Sequence, residues 1–132
     1  MRYWLDTNVL LRLVTKSPPE LFERALALVE QAESGGLSLA VHPLHVAEAT
    51  YVLHSLYAYT REETRWELGI VLSLEALAVH DEENVLAALD LMAEHNVDFD
   101  DAYLTRWAAA RGDGVASFDR DYGRLPVPHL VP

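Results

Sequence analysis

Short apolar runs alternate along this chain with longer stretches whose apolar residues recur at helical spacing, and that alternation limits the fold more than any other feature. Parallel strands cannot be joined by tight turns; each pair needs a crossover long enough to hold a helix. Arg2–Leu5 reads as a strand ending at Asp6, followed by a helix over Thr7–Val14. Ser17-Pro18-Pro19-Glu20 opens the next helix, with serine ahead of the prolines and an acid in the first turn. Leu21, Phe22, Ala25, Leu28, Val29 and Ala32 mark its apolar stripe, and Ser34-Gly35-Gly36 stops it. Leu37–Val41 is a second strand, His42-Pro43 breaks it, and Leu44–Tyr57 is helical. Thr60-Arg61-Glu62-Glu63 has the form of a capping box, opening a helix to about Ser73.

The second half repeats the pattern. Ala76–Val79 is a third strand, and Asp81 is positioned to cap a helix with the stripe Val85, Leu86, Leu89 and Met92. Asp98 or Asp100 begins a helix through about Arg111, with Phe99 turned to the core. Gly112-Asp113-Gly114 turns the chain into a strand over Val115–Phe118. Asp119–Leu125 is a polar turn or short helix, and the proline-bracketed Val127–Val131 is at best an edge strand. The expectation is an α/β fold with a mainly parallel sheet. With no linker, repeat or low-complexity stretch, residues 1–132 read as a single domain.

Composition narrows the chemistry. The chain has no cysteine, which excludes a disulfide scaffold, a thiolate zinc site and a cysteine nucleophile, and is compatible with a cytoplasmic protein. No apolar run reaches the roughly 18 residues of a membrane span, and the start, Met-Arg-Tyr-Trp-Leu-Asp, lacks the long apolar region of a signal peptide. The net charge of −11 repels nucleic acid at long range and attracts basic partners. Any nucleic-acid role therefore needs bound cations or a local basic patch. Lys16 is the only lysine.

Four acids stand out by position. Asp6 closes the first strand, Glu48 interrupts an otherwise apolar helix, Asp101 lies in the first turn of another, and Asp119 closes a late strand. In an open parallel sheet, ligands bind beyond the carboxyl ends of the strands. Clustered carboxylates repel one another unless a cation neutralises them, and hard divalent cations favour carboxylate oxygens. Such a set suits metal-assisted phosphodiester hydrolysis. A single Asp after a strand is more often a cap or turn residue, and Asp81 and Asp113 read that way.

Taken together, four segments resemble the PIN-domain ribonucleases, specifically the VapC-like toxins of bacterial toxin–antitoxin pairs. They are Leu5-Asp6-Thr7-Asn8-Val9-Leu10-Leu11, Val46-Ala47-Glu48-Ala49, Val97-Asp98-Phe99-Asp100-Asp101-Ala102-Tyr103-Leu104 and Ser117-Phe118-Asp119-Arg120-Asp121-Tyr122. The resemblance implies a three-layer α/β/α fold whose mainly parallel sheet of about five strands is flanked by helices. It implies that Asp6, Glu48, Asp101 and Asp119 bind one or two Mg²⁺ or Mn²⁺ ions, with Asp121 as a further acid and Asn8 and Ser117 as supporting polar residues. Asp100 and Asp101 compete for the metal-facing place, and Asp101 fits the motif better. Ser117 stands where threonine is commoner, and Tyr122 where phenylalanine is, a change expected to preserve packing. The implied activity is endoribonucleolytic, with an RNA substrate, a cognate antitoxin and a homodimer as partners. Arg12, Arg120 and Arg124, near the acidic motifs in sequence, are the phosphate contacts to consider; a surface salt bridge is the plainer account of each.

Other features read as structure. His45 and Glu48 stand three apart, a spacing seen in helical metal pairs, but no HExxH motif accompanies them. His42, His54, His80, His95 and His129 form no metal pattern, Gly35-Gly36 is no phosphate loop, and Arg111-Gly112-Asp113 is a turn. Trp4, Trp66 and Trp107 read as core or interface residues; Tyr51, Tyr57 and Tyr59, near a helix end, read by default as core packing, with an exposed cluster serving a partner as the alternative. Two rivals to the nuclease remain: a catalytically silent module of the same fold that only binds a protein, and an aspartyl phosphatase. The phosphatase wants a second Asp two residues after the first, and that position is Asn8.

Overall fold

Every strand in this protein is two to four residues long, and every strand pair is parallel. The computed structural model describes residues 1–132, which divide into two compact units, Met1–Glu82 and Glu83–Pro132.

In the first unit, β1 (Arg2–Trp4), β2 (Ser38–Val41) and β3 (Leu77–Val79) lie side by side in that order. Tyr3 stands opposite Leu39, which in turn stands opposite Leu77. The middle strand buries Leu39, Ala40 and Val41, and so is covered on both faces, as parallel strands require. At the edge, β1 leaves Arg2, Tyr3 and Trp4 exposed, and Leu5 just beyond it is the buried member of that run.

Four helices complete this unit: α1 (Thr7–Thr15), α2 (Pro19–Glu33), α3 (Pro43–Ser55) and α4 (Arg61–Leu72). The first of them packs against the other three, burying Leu10, Leu11, Leu13 and Val14. Local chemistry sets where each helix begins. Asp6 caps α1, Pro19 and Pro43 occupy first-turn positions that need no N–H, and His42 Nδ1 accepts the Leu44 N–H at 3.0 Å. Thr60 and Glu63 form the expected reciprocal box, with bonds of 3.0 and 3.1 Å. Gly35, at φ 85°, takes the left-handed backbone that lets the chain leave α2.

The second unit holds α5 (Glu82–His95), whose first residue falls at the boundary, α6 (Phe99–Ala110), the short strands β4 (Val115–Ala116) and β5 (His129–Leu130), and a 3-10 turn over Arg120–Arg124. Val115 pairs with His129 and Ala116 with Leu130. Gly114 is required just ahead of this ladder, because a Cβ there would lie 2.8 Å from the Pro128 carbonyl oxygen. Val85, Ala88, Leu89 and Met92 of α5 and Phe99, Ala102 and Ala108 of α6 are buried.

The α/β class and the parallel pairing agree with the sequence analysis. Several local expectations need correction. The five strands form two ladders, of three and two strands, rather than one. The strand expected over Val115–Phe118 stops at Ala116, and Phe118 is 76% exposed, because β4 has a single two-residue partner. Asp81 stands at φ 54°, outside the extended backbone of an N-cap. The tryptophans are at the surface: Trp4, Trp66 and Trp107 are all exposed, the last beneath the Arg111 guanidinium at 3.4 Å. Tyr51 and Tyr57 are exposed as well, so Phe99 and Tyr122 are the aromatic residues of a core that is otherwise mostly aliphatic. No helix is long and apolar enough to cross a membrane.

Leu53 is fully buried in α3, whereas Leu56, just past its end, is 77% exposed. Leu53→Ala should lower unfolding free energy by about 2–5 kcal/mol, and Leu56→Ala should change it by no more than about 0.5 kcal/mol. Urea denaturation of the two variants measures the contrast.

Candidate active site

The first unit contributes one cluster. Asp6 sits at the N-cap of α1, where its Oδ1 accepts the Thr7 N–H at 2.8 Å. On α3, His45 and Glu48 stand one turn apart and so share a face. The His45 imidazole lies between the two acids. Its Nδ1 is 3.7 Å from Asp6 Oδ1, 3.9 Å from Glu48 Oε2, and 3.0 Å from the hydroxyl of buried Thr7. The structure thus brings Asp6 and Glu48 to a common neighbour, with both carboxylates largely exposed. Asn8 is exposed in the first turn of α1.

In the second unit, acids gather at the start of α6. Asp98 occupies the N-cap position, with Asp100 and Asp101 in the first turn. Carboxylate oxygens of all three lie within 4.8 Å of one another. Asp100 is exposed and Asp101 half-buried. Burial pushes the Asp101 carboxyl above its ordinary value. A hydrogen bond from the Tyr122 hydroxyl, at 2.8 Å, opposes that shift, and the charges of Asp100, Asp119 and Asp98 reinforce it. Tyr122 is itself buried, so burial and the bond to Asp101 hold its phenol protonated, well above the usual phenol value.

Asp119 caps the 3-10 turn, its Oδ1 accepting the Asp121 N–H at 2.9 Å. Its own N–H donates to Ser117 Oγ at 2.9 Å, so Ser117 fixes the backbone from which this acid projects. Asp121 pairs with Arg124 at 3.0 Å, and Arg124 also donates to the His95 carbonyl at 2.8 Å. Those two residues are therefore engaged with local structure. Arg120 is exposed on the same turn, and Arg12 is tied through Nη1 to the Ser17 carbonyl at 2.7 Å.

The donor set fits a hard divalent cation. Every carboxylate here offers oxygen, with no thiolate among the neighbours. The repulsion that contributes to the raised Asp101 carboxyl is what a bound cation relieves.

Two residues that touch these acids carry more than the sequence analysis assigned them. His45 lacks an HExxH motif, and its spacing from Glu48 is the signal the sequence offers for it. From the sequence, tyrosine at position 122 in place of phenylalanine is expected only to preserve packing, yet its hydroxyl is what it adds, and a buried tyrosine hydroxyl needs a partner. Tyr122→Phe should cost about 1–3 kcal/mol of stability in metal-free buffer at neutral pH, where the bond is to an ionised Asp101. The loss shrinks in acid. Removing the donor raises the folded-state Asp101 carboxyl further, which penalises the fold only where that carboxyl must ionise. Urea denaturation at two pH values measures it.

The family model described as PIN domain matches residues 3–128. Among solved structures, the chain is similar to one described as the crystal structure of VapBC2 from Rickettsia felis bound to a DNA fragment from their promoter. That likeness has 19% identity and a TM-score of 0.42, and covers 99% of this chain and 98% of the other. No protein of curated function matches the chain. The family match takes in every acid described above, from Asp6 to Asp121, and the chain belongs to the PIN domain family.

Proposed function

We propose that this protein is a divalent-metal-dependent endoribonuclease, the toxin of a toxin–antitoxin pair. Family membership supports a nuclease. The observation that carries the reading further is the pair of acid clusters, Asp6 and Glu48 about His45 and Asp98, Asp100 and Asp101 at the start of α6. In this reading, residues 1–132 work as one catalytic domain, in which Asp6, Glu48, Asp101 and Asp119 serve together and Asp121 assists.

Asp6, Glu48, Asp101 and Asp119 would hold one or two Mg²⁺ or Mn²⁺ ions, which when bound would supply Lewis-acid activation of water and neutralise charge on the phosphodiester. The chain's own residues do the rest. Thr7 N–H fixes Asp6, Tyr122 orients Asp101, and Ser117 and the Asp121 N–H fix Asp119. A carboxylate of the set accepts the proton of the attacking water. The substrate is RNA, met in the cytoplasm. The −11 charge favours capture of a basic antitoxin, by fast association that weakens with salt. The protein acts as a homodimer.

Asp6→Asn is the informative variant, because asparagine caps a helix as well as aspartate while removing the charge. Purified protein should cleave a total-RNA pool with Mg²⁺ or Mn²⁺, and EDTA should stop it. Asp6→Asn should lose more than about 100-fold in rate, since even outer-shell partners of a metal are worth 10–100-fold. Cleavage that persists in EDTA or in the variant overturns the metal mechanism. Absence of both cleavage and Mn²⁺ binding points instead to a silent binding module.

A further inference from the structure

A chain of net charge −11 that acts on RNA needs a local place where phosphate is welcome. The first unit has a cleft lined by two arginines. Between α1 and α2 lies an open cleft of about 490 Å³, lined by Asn8, Val9, Arg12, Leu21, Arg24 and Leu28, with Ala25 at its base. Its volume falls in the range of small-ligand sites, about 300–1,000 Å³.

Two of the ten basic residues face this cleft, and their states differ. Arg12 is half-buried and anchored: Nη1 donates to the Ser17 carbonyl at 2.7 Å and approaches the Tyr57 hydroxyl at 3.4 Å. Those contacts use one nitrogen of a planar group with five donors, so the remaining N–H groups are held in place for a ligand. Arg24 is exposed on α2, with no acid paired to it. Val9, Leu21 and Leu28 supply an apolar wall, and Asn8 an amide able both to donate and to accept. Phosphate-binding forks, an apolar wall and an amide together match a nucleotide.

The location links the cleft to the acids. Asn8 and Arg12 stand four apart on α1, on one face of the helix that Asp6 caps. At 1.5 Å per residue, Arg12 lies about 9 Å along the axis from Asp6.

We infer that the α1–α2 cleft is the subsite for a nucleotide of the RNA flanking the scissile bond, with Arg12 and Arg24 binding its phosphate and Val9, Leu21 and Leu28 its base. This inference rests on the nuclease reading and names where that substrate lies.

The test uses a fluorescein-labelled pool of short single-stranded RNA in EDTA, so that binding is read without cleavage. Anisotropy across a salt series compares wild type, Arg24→Ala and Arg24→Glu. The position is exposed on a helix and alanine is the best helix former, so the fold should hold, as circular dichroism would verify. Arg24→Ala should weaken binding about tenfold, the loss expected for a charge-assisted hydrogen bond. It should also flatten the salt slope by about 0.7 per lost phosphate contact. Arg24→Glu should weaken binding further, and Mn²⁺ titration of both variants should match wild type. Unchanged RNA affinity and slope in Arg24→Glu, with wild type still cleaving RNA in Mn²⁺, would overturn the subsite and leave the cleft to a protein partner. Wild type that neither binds Mn²⁺ nor cleaves RNA would overturn the nuclease reading, and the subsite with it.

Discussion

Negative charge placed at the start of a helix is the interaction on which the acidic sites depend. Unit charges about 4 Å apart repel by about 1 kcal/mol in water and about 4 kcal/mol near a protein surface. A chain that gathers acids must offset that repulsion before any ligand arrives. Here the offset comes from backbone N–H groups and helix dipoles. Asp6 begins α1, Asp98, Asp100 and Asp101 begin α6, and Asp119 begins the 3-10 turn. Glu48 is the exception: it lies mid-helix on α3 and stands instead beside His45. Asp6 and Asp119 are thus caps and candidate ligands at once. The two readings of a strand-end aspartate, as cap and as ligand, do not compete, because Asp6 and Asp119 each commit one oxygen to the backbone.

Legibility in the sequence tracked the range of the interactions. The capping box at Thr60 and the glycine stop after α2 were readable because their partners lie within a few residues. Helical stripes were readable in part for the same reason: Val85, Leu89 and Met92 are buried as their spacing implied, whereas Leu86 of that stripe is half-buried and Leu21 of the α2 stripe is exposed. What depends on distant partners was not. The pattern at Val115–Phe118 carries no information about how short the opposing strand is. The acid positions could be picked out by their places at strand ends and helix starts, and the family resemblance identified them as a set. His45 and Tyr122 escaped because their roles arise from contacts 38 or 39 residues away in one case and 21 in the other.

The aromatic residues show where hydrophobicity misleads. Trp66 and Ile70 on α4 and Tyr51 on α3 are exposed, while the largest fully buried side chains are leucines and a methionine. Short strands and close helices leave space suited to flexible aliphatic groups, which interdigitate at crystal-like density. Of the two readings given to the tryptophans, core is excluded, and the surface setting is the one in which amphipathic rings contribute to interfaces.

The left-handed residue that ends α1 has a practical consequence. Lys16, at φ 58°, is exposed, and it carries the only lysine amine of the chain. Amine-directed chemistry on this protein therefore has a single side-chain target, at the far end of the helix that Asp6 begins. A dye or crosslinker introduced there needs no engineered cysteine, and the native sequence already provides a defined attachment point for imaging or proximity capture on the intact molecule.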